Sequence, residues 1–352
     1  MNPRRLLVGL AALMTACATP HGQAQQTAIE AATAALEQLQ REGFVGSALA
    51  ACGDAIWLSQ SYGYATAPPA PPSYWVASIS KQFTAAAILR LAEEGRLGLE
   101  DPLSRFFSWA PADKADITLM QLLTHQSGLP QAYAADGVSE REAAARAILA
   151  LELAAAPGSR FGYANDNYSL LAIIVEFASG RDFESYVSEE LFAPAGMRQT
   201  GFWPEEGEDF VPPTLNRPAA GLRQANWGFR GGTGMRASVE DLHQWSRALD
   251  EGLALSPWGV RQLFGPHVRL TDGRGVGFNW FWTIAEPSLL YTSGSESYGP
   301  NARLYRAPGS GLVLVAATNA GPPEASGPGW SRRAGDALVA AFAAEASTLC
   351  PA

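Results

Sequence analysis

The sequence predicts an α+β fold in which an antiparallel sheet, flanked by N- and C-terminal helices, is assembled from both ends of the chain around an inserted, mostly helical segment. Three observations predict it. A helical pattern and then a hairpin pattern open the chain. The middle carries apolar residues at helical spacing. Short β-like runs return late and are followed by a last helix.

Taken in order, Thr27 to Gln40 has the 3.6-residue apolar period and stops near Gly43. Gly46 to Tyr64 alternates around Gly53-Asp54, a hairpin signal. The proline-rich APPAPPS (67–73) is a loop. Residues 78–94 read as a helix that stops at Gly95, and GLEDPLSRFF closes that region. Helices are expected over 117–127, over the Ala-rich 139–155, and over 169–178 with a stop at Gly180. Pro212, Pro213 and Pro218 mark a loop. Val239 to Leu249 is amphipathic, with Glu240 and Asp241 in its first turn, where the helix dipole favours acids. Gly275 to Ile284, Ala302 to Arg306 and Leu312 to Ala317 are β-like, the last two joined by APGSG. Ser331 to Ala346 is the closing helix.

The chain has 352 residues, of which 47% are hydrophobic, enough for a sizeable core. Its formal charge is −9, and beyond Arg4-Arg5 no basic cluster occurs. Phosphate neutralisation needs a basic face, so nucleic acid is not an expected partner. Arg4-Arg5 and the short apolar stretch Leu6–Met14 read as a secretory signal over residues 1–16. Met14-Thr15-Ala16-Cys17 is similar to a bacterial lipobox. The expectation is lipidation at Cys17, a polar tether over 17–26, and a monomer in the periplasm of a bacterial cell envelope. That lipid would be its sole membrane contact. Cys52 and Cys350 either form a bridge or remain two thiols, one of them buried.

The candidate chemistry begins with WVASISKQFTAAAIL (75–89). Ser78 and Lys81 lie three apart, on one face of a helix. Serine is a weak nucleophile until a base takes its proton, and lysine, unlike arginine, can be that base. Lys81 is one of only two lysines, the other being Lys114. In FGYANDNY (161–168), Tyr163 has a phenol able to exchange a proton with a lysine. Asn165 has an amide able to hold both a lysine and a substrate carbonyl. THQSGLPQ (124–131) adds His125, better read as packing or capping a turn than as catalytic. The four histidines, 21, 125, 243 and 267, lack zinc-ligand spacing, and no metal or cofactor is expected. Trp227, Phe229, Trp280, Phe281 and Trp282 fit core packing better than a cleft lining. Glu296 and Tyr298 either face the cleft or sit on a loop.

Ser-x-x-Lys, His-x-Ser-Gly-Leu-Pro and Tyr-x-Asn, in this order, resemble the serine β-lactamase and penicillin-binding-protein superfamily. The similarity is greatest to its branch of class C β-lactamases, D-alanyl-D-alanine carboxypeptidases and related esterases. It spans about residues 27 to 345. It implies one β-lactamase-like domain over 27–350, with a sheet subdomain (27–75 and 230–350) and a helical subdomain (76–229). It also implies Ser78 as acylated nucleophile, Lys81 and Tyr163 as proton partners, and Asn165 as a holder of Lys81 and the substrate. The third motif would lie in YTSGSESYG (291–299), with Thr292, Ser293, Gly294 and Ser295. The backbone N–H groups of Ser78 and Ser295 would form the oxyanion hole. The family's cation is absent from position 292, and no Lys or His occurs from 268 to the end. One charge-assisted contact is worth roughly 1.5–3 kcal/mol. Carboxylate-bearing substrates are therefore expected to fare worse than neutral esters or amides, unless Arg303 substitutes. The expected function is a serine hydrolase acting on a small-molecule or peptide ester or amide. The alternatives are a class C-like β-lactamase or D-alanyl-D-alanine carboxypeptidase, and a non-catalytic envelope binding protein.

Overall fold

The structure, a computed structural model, describes residues 20–64, 71–202, 226–284, 288–296, 299–321 and 328–351. The signal segment, Cys17, the prolines at 212, 213 and 218, and Tyr298 lie outside the described residues.

The first helix, α1 (Pro20–Arg41), begins seven residues before Thr27, so the segment read as tether is helical from Pro20 onward. The hairpin follows as β1 (Gly46–Cys52) and β2 (Ala55–Tyr62), turning at Gly53, which has φ +51°. After β3 (Tyr74–Trp75) come a 3-10 turn at Ala77–Ile79 and α2 (Ser80–Glu93).

The inserted segment carries α3 (Leu119–Leu123), α4 (Arg141–Leu149), α5 (Asn165–Ser179), and α6 (Phe183–Val187), which runs through a π turn at Ser188–Phe192 into α7 (Ala193–Ala195). Then follow β4 (Gly201–Phe202), β5 (Met235–Ala237), α8 (Val239–Asp250), α9 (Pro257–Phe264), β6 (Val268–Arg269), β7 (Gly275–Val276) and β8 (Phe281–Trp282). The chain closes with β9 (Leu290–Ser295), β10 (Asn301–Arg306), β11 (Leu312–Thr318), α10 (Trp330–Phe342), a 3-10 turn at Ala343–Glu345 and α11 (Ala346–Leu349).

Eight strands form one antiparallel sheet in the order β2-β1-β11-β10-β9-β8-β7-β6, and β3-β5-β4 form a second. The two ends of the chain meet at β1 and β11, paired from Ser47 with Ala317 to Cys52 with Leu312. Every residue of β11 is buried, because the sheet is covered on both faces. Leu312, Leu314 and Ala316 pack with Leu36, Trp330, Leu338 and Phe342 from α1 and α10. Val313, Val315 and Ala317 face the other way, toward Trp245, Phe83 and the helical layer. This is the strand period of two, with an apolar partner on each side. Cys52 and Cys350 are bridged, their Cα atoms 5.5 Å apart, which ties the C-terminus to the end of β1.

Two expected helices are shorter than their patterns, for one reason. α3 starts at a capping box formed by Thr118 and Gln121 and ends where His125 takes φ +56°. The turn at 125–128 then pairs with residues beyond α4. Ala154 N–H donates to Gly128 O (2.8 Å), Gly158 N–H to Gln126 O (2.7 Å) and Gly162 N–H to His125 O (2.8 Å). Backbone groups in this stretch are satisfied by the opposing chain rather than by helix, and the pairing carries the chain directly to Tyr163.

Candidate active site

Ser78 lies in the 3-10 turn ahead of α2, and the residue before it, Ala77, has φ +48°. Only three described non-glycine residues have positive φ: Ala77, His125 and Asn279. Ala77 precedes Ser78, Asn279 donates to the Ser78 carbonyl, and His125 stacks on Tyr163, whose hydroxyl contacts Ser78. Such backbone costs about 1–3 kcal/mol and persists only where packing over-determines it.

α2 grips the loop at 231–235 through polar residues one helical turn apart. Ser80 Oγ accepts from Met235 N–H (3.1 Å), and Thr84 Oγ1 donates to Gly231 O (2.7 Å). Between them, Lys81 is fully buried. Its Nζ donates to Ser78 Oγ at 3.2 Å, Asn165 Oδ1 at 2.8 Å and Gly232 O at 2.9 Å. Three acceptors meet the three protons of an ammonium. Asn165 is the first residue of α5, four residues ahead of the Ser169 start expected from periodicity, which is why its amide reaches Lys81.

Tyr163 OH donates to Ser78 Oγ at 2.9 Å, and Lys81 Nζ lies 5.1 Å from the Tyr163 ring centroid. The structure therefore brings Ser78, Lys81, Tyr163 and Asn165 together. His125 stacks on Tyr163, with ring centroids 4.4 Å apart. Its Nδ1 accepts from Ala164 N–H (3.2 Å), and burial, with the Lys81 charge, holds its pKa well below the usual histidine value. His125 is a neutral prop for Tyr163, as its turn context suggested.

On the other side of Ser78 runs β9. β10 pairs with it over Leu290–Ser295, whereas β8 covers only Leu290 and Tyr291. The edge from Thr292 to Ser295 is left to the Ser78 turn. Gly294 packs so tightly there that a Cβ would sit 2.6 Å from Ser78 N and 2.1 Å from Val76 O. Thr292 is fully buried and points away from the cleft. Its Oγ1 accepts from Asn279 Nδ2 (3.1 Å), which also donates to Ser78 O (2.7 Å). Sequence reasoning missed Asn279 as a site residue. The one available signal was an Asn in GFNW, a residue type that tolerates left-handed backbone.

A cleft of about 420 Å³ opens over these groups, lined by Ser78, Tyr163, Asn165, Asn279, Ser293, Gly294 and Ser295. β10 contributes Arg303, which is directly opposite Ser293, and α10 contributes Arg332. Arg303 stacks 5.6 Å from the Tyr291 ring, donates to Tyr305 OH (3.0 Å), and has no carboxylate partner among the described residues. Of the five aromatics weighed from sequence, Phe281 lines this cleft, while Trp227, Phe229 and Trp280 are core. Trp282 lines a separate apolar cavity of about 720 Å³. Among the described residues no cluster of His, Cys, Asp or Glu could hold a metal ion.

A family model described as beta-lactamase matches residues 31–339. Penicillin-binding protein 4* of Bacillus subtilis is 28% identical over 279 residues, covering 70% of this chain and 60% of that protein. The chain thus spans about three fifths of the length of that curated relative. The octameric penicillin-binding protein homologue from Pyrococcus abyssi superposes with a TM-score of 0.72 at 26% identity, covering 88% of this chain and 76% of the other. EstCE1, a hydrolase with promiscuous acyltransferase activity, shares the fold at a TM-score of 0.74 and 22% identity, covering 90% of this chain and 99% of its own. The match over 31–339 covers most of the sequence and takes in both the Ser78 turn and β9, and on it the chain belongs to the β-lactamase family.

Proposed function

We propose that the chain is a serine hydrolase that cleaves esters or amides through an acyl-enzyme on Ser78. The observation that carries this is Ser78 Oγ at the wall of the cleft, in hydrogen-bond contact with both Lys81 Nζ and Tyr163 OH. The reactive form is the one in which the Tyr163–Lys81 pair carries one proton fewer; in the acylation step Ser78 Oγ bonds to the substrate carbonyl carbon, and its proton passes to that pair. The bond from that carbon to the leaving oxygen or nitrogen breaks. Tyr163 lines the cleft and Lys81 is buried beneath it, so Tyr163 returns the proton to the leaving group. Water then attacks the acyl-enzyme by the reverse proton path. The Ser78 and Ser295 N–H groups are assigned to the carbonyl oxygen as charge develops there, supported by the close approach of Gly294 to Ser78 N. Asn165 holds Lys81, and Asn279 fixes the Ser78 carbonyl.

A second reading, a class C-like β-lactamase or D-alanyl-D-alanine carboxypeptidase, is favoured by Arg303 and Arg332. The cleft does not lack positive charge, despite Thr292. Arg303 can meet a substrate carboxylate there, whereas Arg332 already lies 3.7 Å from Asp336. Anchoring through Cys17 in a bacterial periplasm belongs to the same proposal and rests on the sequence.

The test is hydrolysis of a short-chain p-nitrophenyl ester by the wild type and by Ser78→Ala, beside a β-lactam. Turnover lost in the variant supports the hydrolase. Equal rates in both would leave a non-catalytic binding protein. A β-lactam rate equal to the ester rate would favour the second reading.

A further inference from the structure

We propose that the apolar cavity beneath the sheet is a second binding site, separate from the catalytic cleft, for a straight-chain carboxylate such as a medium-chain fatty acid. The alkyl chain lies on a floor of strand residues, and the carboxylate meets Arg261 at the rim.

The cavity and the cleft use opposite faces of the same three strands. Phe281, Ser293 and Arg303 of β8, β9 and β10 line the cleft. Trp282, Leu290 and Arg306 stand an odd number of residues from them on the same strands and line the cavity. Trp282 pairs with Leu290, and Leu290 with Arg306, so the three form one row across the sheet. One wall is α9, through Val260, Arg261 and Phe264, and the other is the turn at 307–311 with Cys52 and Pro351. That second wall is fixed by the Cys52–Cys350 bridge and by the pairing of Ser310 with Pro351, so the space is built before any ligand arrives. Its volume of about 720 Å³ falls within the range of about 300–1,000 Å³ usual for small-molecule sites.

The lining fits an alkyl chain. Val260, Phe264 and Trp282 pack against the core yet stay half-buried, because their other sides face the cavity. The Trp282 indole N–H is already satisfied by Phe264 O (2.8 Å), so the ring offers only apolar surface.

The charges fit one anion. Three charged residues line the cavity: Asp250, Arg261 and Arg306. Arg306 is buried and committed. It pairs with Asp250, donates to Ser246 O (2.8 Å), and lies 5.0 Å from the Phe264 ring centroid. Asp250 is neutralised by the same pair. Arg261 is exposed and, among the described residues, has no ion-pair or hydrogen-bond partner for its guanidinium. One cation is therefore left over at the mouth of an apolar space. A molecule with an apolar body and a single carboxylate satisfies both features.

The experiment is calorimetric titration of Ser78→Ala, which removes turnover from the reading, at pH 8. The ligands are hexanoate, octanoate, decanoate and decyltrimethylammonium, all below their micelle concentrations. Decanoate should bind saturably with one site per chain. Affinity should rise about threefold to fourfold per methylene along the carboxylate series. Decanoate should bind at least about fivefold tighter than the cation of equal chain length, and Arg261→Gln should close that gap. Val260→Trp, checked by thermal melting, should fill the cavity and abolish binding. Arg261 is exposed, so its variant keeps the test decisive should Val260→Trp not fold. Uptake that does not saturate, or equal binding of the two decyl ligands, overturns the proposal. Binding that survives Val260→Trp and is lost in Arg303→Gln would place decanoate in the catalytic cleft and also overturn it. No binding, with a concentration-dependent dimer that Val260→Trp breaks, would overturn it in favour of a second copy of the chain. Each result is independent of whether the wild type hydrolyses esters.

Discussion

Replacing Gly294 with alanine tests how closely β9 and the Ser78 turn are fitted. A Cβ at 294 would lie 2.1 Å from Val76 O, 2.6 Å from Ser78 N and 3.0 Å from Ala77 C. All three are backbone atoms, so no side chain can rotate away. A carbon–oxygen contact of about 3.0 Å requires the two segments to part by about 0.9 Å. That displacement moves the Ser295 N–H away from the Ser78 N–H while leaving Ser78, Lys81 and Tyr163 in contact. A misplacement of about 1 Å costs about 10²-fold in rate, and overpacking of this kind costs about 1–3 kcal/mol in stability. The assay is single-turnover release of p-nitrophenol under excess enzyme, with a urea titration beside it. The expected result is a folded Gly294→Ala protein acylating about 10²-fold slower. Acylation within about threefold of wild type would refute the placement of the oxyanion donors on β9.

Two further outcomes follow from the same geometry. Tyr163→Phe removes the hydroxyl that contacts Ser78 and keeps the ring stacked on His125. Acylation should fall by about 10²–10⁴-fold with the melting temperature little changed, and a loss under tenfold would leave Lys81 as the sole proton partner. Asp166 is buried on α5, with its carboxylate accepting from Ala134 N–H, and burial pushes its pKa up from 3.8 to about 6. The folded state therefore binds the proton more tightly than the unfolded chain, and the stability this brings is lost as pH rises from about 4 through about 6. Urea denaturation of Asp166→Asn at pH 4.5 and pH 8 should show the variant gaining on the wild type at the higher pH, and the opposite trend would contradict the burial argument.

Local chemistry decided much of this protein in the sequence itself. The hairpin at Gly53, the helix stops at Gly95 and Gly180, and the α8 cap at Ser238 follow from backbone preferences and periodicity, which act over a few residues. Ser78 and Lys81 were legible together because one helical turn joins them. Tyr163 and Asn165 were legible from their motif, but what brings them to Lys81, 84 residues away in the case of Asn165, is the pairing of 125–128 with 154–162. Tertiary structure alone decided the rest. The Cys52–Cys350 bridge exists because β1 and β11 are neighbours, a contact no local pattern encodes. Thr292 was read as the vacant cation position, but strand alternation turns it inward onto Asn279 and presents Ser293, Ser295 and Arg303 to the cleft. That choice of face depends on which neighbours cover the strand. The same holds for Asn279, whose role comes from burial beside residues far away in sequence.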